Sequence, residues 1–283
     1  MPSCPVCNHN MTVRKEWLWR CPSCGFLSST LSAGAGPSVV GIEALRQMNF
    51  ETLLDRLERI SPLAEKTLLE VGCSTGLFLD AASRRGAKVT GVEPEKEKVS
   101  QARSKGFEII GEFFPEALPA GQTFDVIVFN DVFEHLPDPV VALHACAAHL
   151  NPDGILVLNL PDSKGMLYFI ANTLDRLGID EPLKRLWQMD FPSPHLSYFN
   201  RDNLKTLSMT KAGLELVHQS SLKTLTTAGL KDRINATINR SALRLMMYIG
   251  LLILVPLQCM LPSDILLQIY RKKRSPIDGQ SAS

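Results

Sequence analysis

Two groups of residues in this 283-residue chain have types and spacings that could do chemistry. Near the start, Cys4 and Cys7 form one CxxC pair and Cys21 and Cys24 a second. Thiolates in two such knuckles can close a tetrahedral site on one zinc ion, and four protein ligands leave no open coordination position. The zinc expected in this small ribbon, residues 1–27, is therefore structural or interactive. Further on, TLLEV runs straight into GCSTG and then a helical stretch, so Gly72 and Gly76 let backbone approach a ligand beside a helix N-terminus. A nucleotide or an amino acid would suit that geometry. The spelling is ExGxxxG, with Glu70 two residues before Gly72, unlike the GxGxxG fingerprint or a P-loop, and this disfavours phosphate. Glu93, in VTGVEP, ends the next strand, where a carboxylate can accept both hydroxyls of a ribose. Alone, each is a tight turn or a helix-capping acid; in this order they form a ligand site.

These residues need elements to hold them. From Thr67, short apolar runs alternate with helical stretches, and FDVIVFN, a helix from about Pro139 to Leu150 and GILVLNL extend the series. The expected fold is α/β, an open doubly wound sheet. Before it, Ile42 to Ile60 carries apolar residues at helical spacing up to Ser61-Pro62, and Ser28 to Ser38 reads as a flexible stretch of a linker spanning 28–41. Trp17, Leu18 and Trp19 read as the ribbon's miniature core or as a recognition surface. An insertion, 161–201, carries Tyr168, Trp187, Phe191, Tyr198 and Phe199; these aromatics read as exposed, and the segment as a lid or as extra packing. Leu204 to Leu216 reads as a helix entering a strand, Ile265 to Lys273 as the last strand, and 276–283 as a disordered tail.

Just past the end of FDVIVFN cluster Asn130, Asp131, Glu134 and His135. With LLEVGCSTG, VTGVEP, FDVIVFNDVFEHLPDP and NPDGILVLNLP, residues 65–220 resemble the class I S-adenosylmethionine-dependent methyltransferases. The EHLPDP segment looks most like their small-molecule branch, which includes ubiquinone-type O-methyltransferases. The resemblance implies a Rossmann-like seven-stranded sheet within a domain spanning 42–275. It implies that Glu70, Gly72, Ser74 and Gly76 surround the methionine part of S-adenosylmethionine, that Glu93 holds the ribose, and that Asn130 lines the methionine side. It would set Glu112 or Phe113 at the adenine, although GEFFPEAL departs from the family's usual acid-then-small pattern there. Methyl transfer needs alignment and exclusion of water. A hydroxyl acceptor also needs a base, and His135 and His195 are the candidates by position. Each has a plainer reading: His135 as a strand cap or a neighbour of metal-binding acids, His195 as a support for the next helix. The fifth strand ends NLPDS, without the signature of amino-directed DNA and protein-glutamine enzymes, so a nucleobase amino group is a disfavoured acceptor; the resemblance makes an oxygen of a small or lipid-linked molecule the leading expectation, ahead of a carbon or nitrogen.

The formal charge of +1 supplies no broad basic field, which makes nucleic acid an unfavoured partner. An RNA methyltransferase gripping its target through the ribbon, and a non-catalytic ribbon adaptor, are the rival readings. MPSCPVCNHN has no secretory pattern, so a reducing cytoplasm is expected. From Ala242 to Leu261 the chain is largely apolar, with Arg244 its only charge, and approaches the length of a membrane span. A crossing there would strand the last strand on the wrong side. A helix at 242–261 lying on the inner membrane face, or one partly buried as a lid or against a dimer partner, avoids that conflict. Composition leaves oligomeric state open.

Overall fold

A computed structural model describes residues 1–34, 43–224, 248–250, 252, 255 and 261–273. Strands β1 (Thr12–Lys15), β2 (Leu18–Arg20) and β3 (Leu27–Ser29) make the ribbon, and α1 (Glu43–Glu58) follows. Then come β4 (Thr67–Val71), α2 (Leu77–Ser83), β5 (Lys88–Val92), α3 (Lys96–Ser104), β6 (Glu108–Ile110) and β7 (Phe124–Asn130). A short 3₁₀ turn, Phe133–His135, leads to α4 (Pro139–His149) and β8 (Leu150–Pro161). The inserted region holds α5 (Met166–Arg176), α6 (Glu181–Leu186) and β9 (Ser197–Tyr198), followed by α7 (Arg201–Ala212), β10 (Leu214–Ser221) and β11 (Ile265–Lys272).

The large sheet has seven strands in the order β10-β11-β8-β7-β4-β5-β6. The five from β8 to β6 are parallel, and β11 runs antiparallel between β8 and β10. Parallel strands are covered on both faces, which is why they read as unbroken apolar runs. Leu68, Val126, Val128, Ile155 and Val157 pack with Leu53, Leu54 and Leu57 of α1 and Phe78 of α2. The opposite side chains, among them Leu69, Ile127, Phe129, Leu156 and Leu158, pack with α4 and α7. Local signals set the helix ends: Asp138 Oδ1 accepts the amides of Val140 (2.8 Å) and Val141 (3.1 Å) ahead of Pro139. At α7, Asn200 and Asn203 form a reciprocal capping box.

Chain order reverses between β4 and β7. β5 and β6 lie to one side of β4, and the chain then returns to place β7 on the other. Ligands of doubly wound sheets bind outside the carboxyl ends of strands at such a reversal, and Gly72 and Asp131 both lie there.

The ribbon is not tethered by a free linker from residue 28. Ser28 and Ser29 belong to β3, which pairs with β9 of the insertion (Leu27 with Tyr198, Ser28 with Ser197), giving a sheet ordered β1-β2-β3-β9. Thr30 N then donates to Trp17 O, and Gly34 N to Phe191 O; residues 35–42 lie outside the described residues. Tyr168, Trp187, Phe191, Tyr198 and Phe199 of the insertion are likewise buried, not exposed, and Tyr168, Trp187, Tyr198 and Leu183 form one cluster with Leu18, Leu27 and Trp17. A ribbon this small cannot bury enough apolar surface alone, so its core is completed by the insertion. Rings continue the seam inward: Phe26–Phe199, Phe199–Phe133, Phe133–Phe129 and Phe129–Phe114 have centroids 5.1–5.7 Å apart.

Most of the 242–261 segment and all of 276–283 lie outside the described residues. Among those described, no helix is long and apolar enough to cross a membrane.

Trp187 is fully buried, with its ring centroid 5.7 Å from that of Trp17 and 4.8 Å from that of Tyr198. Trp187→Ala is expected to cost about 3–5 kcal/mol and to loosen the ribbon first. Urea unfolding would give the loss, and limited proteolysis should show cleavage near residue 30 before the large sheet is cut.

Candidate active site

Gly72 has φ +72° and Gly76 φ +81°, a region L side chains rarely enter. At Gly72 a Cβ would also fall 2.5 Å from Val132 Cγ2, and at Gly76 2.8 Å from Phe107 Cδ2. The two glycines therefore let the β4–α2 loop press against the loop after β7 and against the segment before β6. Ser74, also at positive φ, donates its amide to Glu93 Oε2 at 2.9 Å, and Glu95 N donates to Glu93 Oε1 at 3.0 Å. Each carboxylate oxygen keeps a second lone pair for a ligand hydroxyl.

Glu70 is buried at the end of β4. Asn130 Nδ2, one strand away on β7, donates to Glu70 Oε1 at 3.0 Å, and Asn159 Nδ2 on β8 donates to Asn130 Oδ1 at 3.4 Å. Glu70 Oε2 has no partner. Burial pushes this carboxyl up to about 8, although the Asn130 bond works the other way. A buried acid with an open oxygen suits a cationic ligand, which would restore its charge.

Glu134, His135 and His195 make a second cluster. Their ligand-capable atoms lie within 4.8 Å of one another, and the imidazole centroids are 4.7 Å apart. Glu134 is fully buried with both carboxylate oxygens unpartnered, and burial together with the Asp131 charge holds its acid well above the usual range. His135 Nδ1 donates to Pro194 O at 2.9 Å, fixing the tautomer that leaves Nε2 with a lone pair. His195 Nε2 is 2.9 Å from Gln188 Nε2; with the amide donating, the imidazole proton sits on Nδ1, which has no partner. Burial lowers both imidazoles below their ordinary value, so both are neutral at pH 7. One carboxylate with two neutral imidazoles is a donor set for a transition-metal ion as well as for proton transfer.

His195 reaches this cluster because the ribbon holds its segment. Ser29 Oγ donates to His195 O at 2.7 Å, and Ser29 N to Leu196 O at 2.9 Å. The start of α7 is capped by Asn200, so His195 does not serve that purpose.

At the ribbon's tip, Cys4 Sγ lies 3.6 Å from Cys24 Sγ and Cys7 Sγ 3.4 Å from Cys21 Sγ. A tetrahedron with bonds of about 2.3 Å has edges of about 3.8 Å, so the four sulfurs could close on one ion. The Nδ2 groups of Asn200 and Asn203 donate to Cys24 O at 3.3 and 3.4 Å, which joins the second knuckle to the cap of α7.

Glu70, Gly72, Ser74, Gly76, Glu93 and Asn130 thus meet at the β4–β7 reversal, and His135 and His195 meet beside it. Glu112 and Phe113 are exposed, and the structure shows no contact bringing Glu112 to the loop. Sequence reasoning passed over Glu134 as a member of the imidazole cluster, together with Asn159 and Gln188. The signal for Asn159 was its single amide inside the apolar run GILVLNLP.

Because Glu70 is held up near 8 in the folded chain, folding favours its protonated form. Its contribution is complete below the ordinary carboxylate value and is lost as pH rises toward 8. The ligand-free chain should therefore lose up to about 1.4 kcal/mol per pH unit across that window. Urea midpoints at stepped pH would show the slope, and Glu70→Gln should flatten it; equal slopes in the two proteins would refute the assignment.

The family described as a methyltransferase domain matches residues 44–219, more than half of the chain. The ubiquinone biosynthesis O-methyltransferase of Salmonella paratyphi A is 32% identical over 121 residues, 40% of this chain and 50% of that protein. Its namesake from Ralstonia nicotianae is 30% identical over 125 residues, 42% and 52% of the two chains. The chain thus spans about half the length of these curated relatives. Among solved structures, the magnesium protoporphyrin IX methyltransferase of Synechocystis with bound S-adenosylmethionine superposes with a TM-score of 0.51 at 11% identity, covering 85% of this chain and 87% of that one. A SAM-dependent methyltransferase from Archaeoglobus fulgidus gives 0.50 at 17% identity, covering 82% and 97%. At such identities the likeness is one of fold, and it agrees with the sheet order found here. With the glycine loop, the strand-end acids and the reversal all inside the matched residues, this chain belongs to the methyltransferase domain family.

Proposed function

We propose that the chain binds S-adenosylmethionine at the β4–β7 reversal and transfers its methyl group to an oxygen of a small or lipid-linked molecule. The observation that carries the reading is the buried Glu70, one oxygen held by Asn130 and the other unpartnered, beside a loop whose glycines admit backbone only. The donor set fits the group. Glu70 would face the cationic methionine part, the Gly72–Gly76 loop would lie along it, and Glu93 would accept the ribose hydroxyls on its remaining lone pairs. When bound, S-adenosylmethionine supplies a methyl on a sulfonium, a good leaving group that needs no acid from the protein. What the protein must provide is alignment, a dry site and removal of the acceptor's proton.

For that proton we propose His135. Pro194 O holds its Nδ1–H, burial keeps the ring neutral, and its free Nε2 faces the cluster. His195 would position it from within, its own ring being taken by Gln188. The orphaned Glu134 oxygens support a second reading, in which Glu134, His135 and His195 hold a metal ion that orients the acceptor. The proposal extends to a zinc ion on Cys4, Cys7, Cys21 and Cys24, with a structural role: keeping β3 in place against β9 and so His195 against His135. A cytoplasmic location is proposed with it, and peripheral contact with a membrane through 242–261 remains part of the lipid-linked reading.

Calorimetry should show S-adenosylmethionine binding where ATP and NAD do not, and Gly72→Val should abolish it by forcing Val132 and the loop apart. Failure of the wild-type chain to bind would sink the reading. With a labelled methyl donor and cell extracts separated into lipid and soluble fractions, His135→Gln is expected to lower turnover by about 10²–10⁴-fold with donor affinity kept. Metal analysis should give one zinc per chain, lost in Cys21→Ser; a second bound metal that survives that change but not His195→Ala would favour the metal reading of the imidazole cluster.

A further inference from the structure

A cavity of about 430 Å³ opens between α1, the start of α7, the chain leaving β10 and the chain entering β11. It takes none of its wall from the glycine loop, Glu93 or the imidazole cluster. Three cations line it, Arg56, Arg201 and Lys223, against a single carboxylate, Asp264.

Among the described residues, Arg201 has an acid within ion-pair distance, while Arg56 and Lys223 have none. Arg56 Nη1 donates to Ser220 Oγ at 2.8 Å and to Ser221 O at 2.9 Å, both neutral acceptors. Lys223 Nζ has Met48 Sδ at 3.9 Å as its side-chain contact. Arg201 sends Nη2 to Ser221 Oγ at 2.7 Å and reaches an acid only at 3.7 Å, between Nε and Asp162 Oδ2. Asp264 forms no ion pair with any of the three among the described residues; its Oδ1 accepts the amides of Leu167 at 2.6 Å and Tyr168 at 3.4 Å, at the start of α5. Cations lining one concave site repel one another, and an anion that joins them removes that repulsion. Guanidinium forks give several oxygens of one group directed hydrogen bonds, and a lysine adds a point charge, a combination suited to phosphate more than to a single carboxylate.

The cavity also stands in a definite relation to the proposed transfer site. Arg46, Asn49, Thr52 and Arg56 recur every three or four residues and so share one stripe of α1. Arg46 Nε comes within 3.9 Å of Asp131 Oδ2, just past β7, while Asn49, Thr52 and Arg56 line the cavity. Ten residues of helix separate Arg46 from Arg56, about 15 Å. We propose that this cavity binds the phosphate or diphosphate group of the methyl acceptor, whose other end lies along α1 toward the end of β7. The inference rests on the methyltransferase reading for the word acceptor, and on the cavity alone for the anion.

The test is a calorimetric titration of the full chain with inorganic pyrophosphate at low salt, repeated on Arg56→Gln and Lys223→Gln. The side chain of Lys223 is exposed and its one hydrogen bond among the described residues is the long contact to Met48 Sδ, so the second variant remains informative if the first misfolds. Pyrophosphate should bind the wild-type chain and bind each variant about tenfold or more weakly. No binding to the wild type, or equal binding to wild type and Lys223→Gln, would overturn the proposal. Farnesyl diphosphate and glucose 1-phosphate then separate the sources: whichever binds more tightly than pyrophosphate assigns a lipid-linked or a soluble acceptor, and both outcomes uphold the site. S-adenosylmethionine is titrated into the same preparations. A chain that binds it but not pyrophosphate loses only this inference; one that binds pyrophosphate but not S-adenosylmethionine keeps the anion site and loses the methyltransferase reading.

Discussion

Everything at the candidate site depends on β7 lying directly beside β4. The pairing of Leu68 through Val71 with Val126 through Phe129 brings two strand ends together, and past those ends the chain must turn away in opposite senses. Gly72 is needed there because Val132, on the neighbouring loop, already fills the space a side chain would take. The same adjacency lets Asn130 reach across to Glu70 and Asn159 reach across to Asn130, so three strands are joined by side chains at the edge where a ligand would enter. Shifting β7 by one residue would turn Asn130 to the other face and bury the wrong side chains on both.

A second dependence runs outward from the sheet. The ribbon is built into the wall of the site through β3 and β9, through the chain of phenylalanines from Phe26 to Phe114, and through Lys15, whose ammonium lies 2.5 Å from Asp175 on α5. The insertion is consequently a bridge between ribbon and sheet more than a free lid. Its segment at 193–196 is held between Glu134 and β3, which is how an imidazole sixty residues after His135 comes into ring contact with it. A metal on the four cysteines would act on chemistry at a distance, by holding the strand that holds His195.

Electrostatically the site is made of buried acids. Burial raises the carboxyl of Glu70 to about 8 and that of Glu134 well above the usual carboxylate range, and the same cause lowers the nearby imidazoles. A neutral, polar, dry edge of this kind disfavours bound anions. It is complementary to a cation, and it contrasts with the arginine- and lysine-lined cavity farther along α1.

Much of this was legible in the residues. The parallel strands announce themselves because burial on both faces demands unbroken apolar runs, and the glycine loop because only glycine tolerates its dihedrals and close approaches. The cysteine knuckles follow from spacing alone. Each is a local demand written in neighbouring residues. The pairing of the ribbon with the insertion, the burial of Trp187 and Tyr198, and the meeting of His135 with His195 and Glu134 are not local. They join segments from 27 to 198, and no spacing rule encodes which of two exposed-looking stretches will cover the other. Glu112 shows the converse: a position inferred by family analogy, which the fold leaves exposed. Sequence by itself determined the strands, the loop and the paired cysteine knuckles. Only the tertiary structure decided which side chains share a site, because that choice is made by the packing of apolar surfaces far apart in the chain.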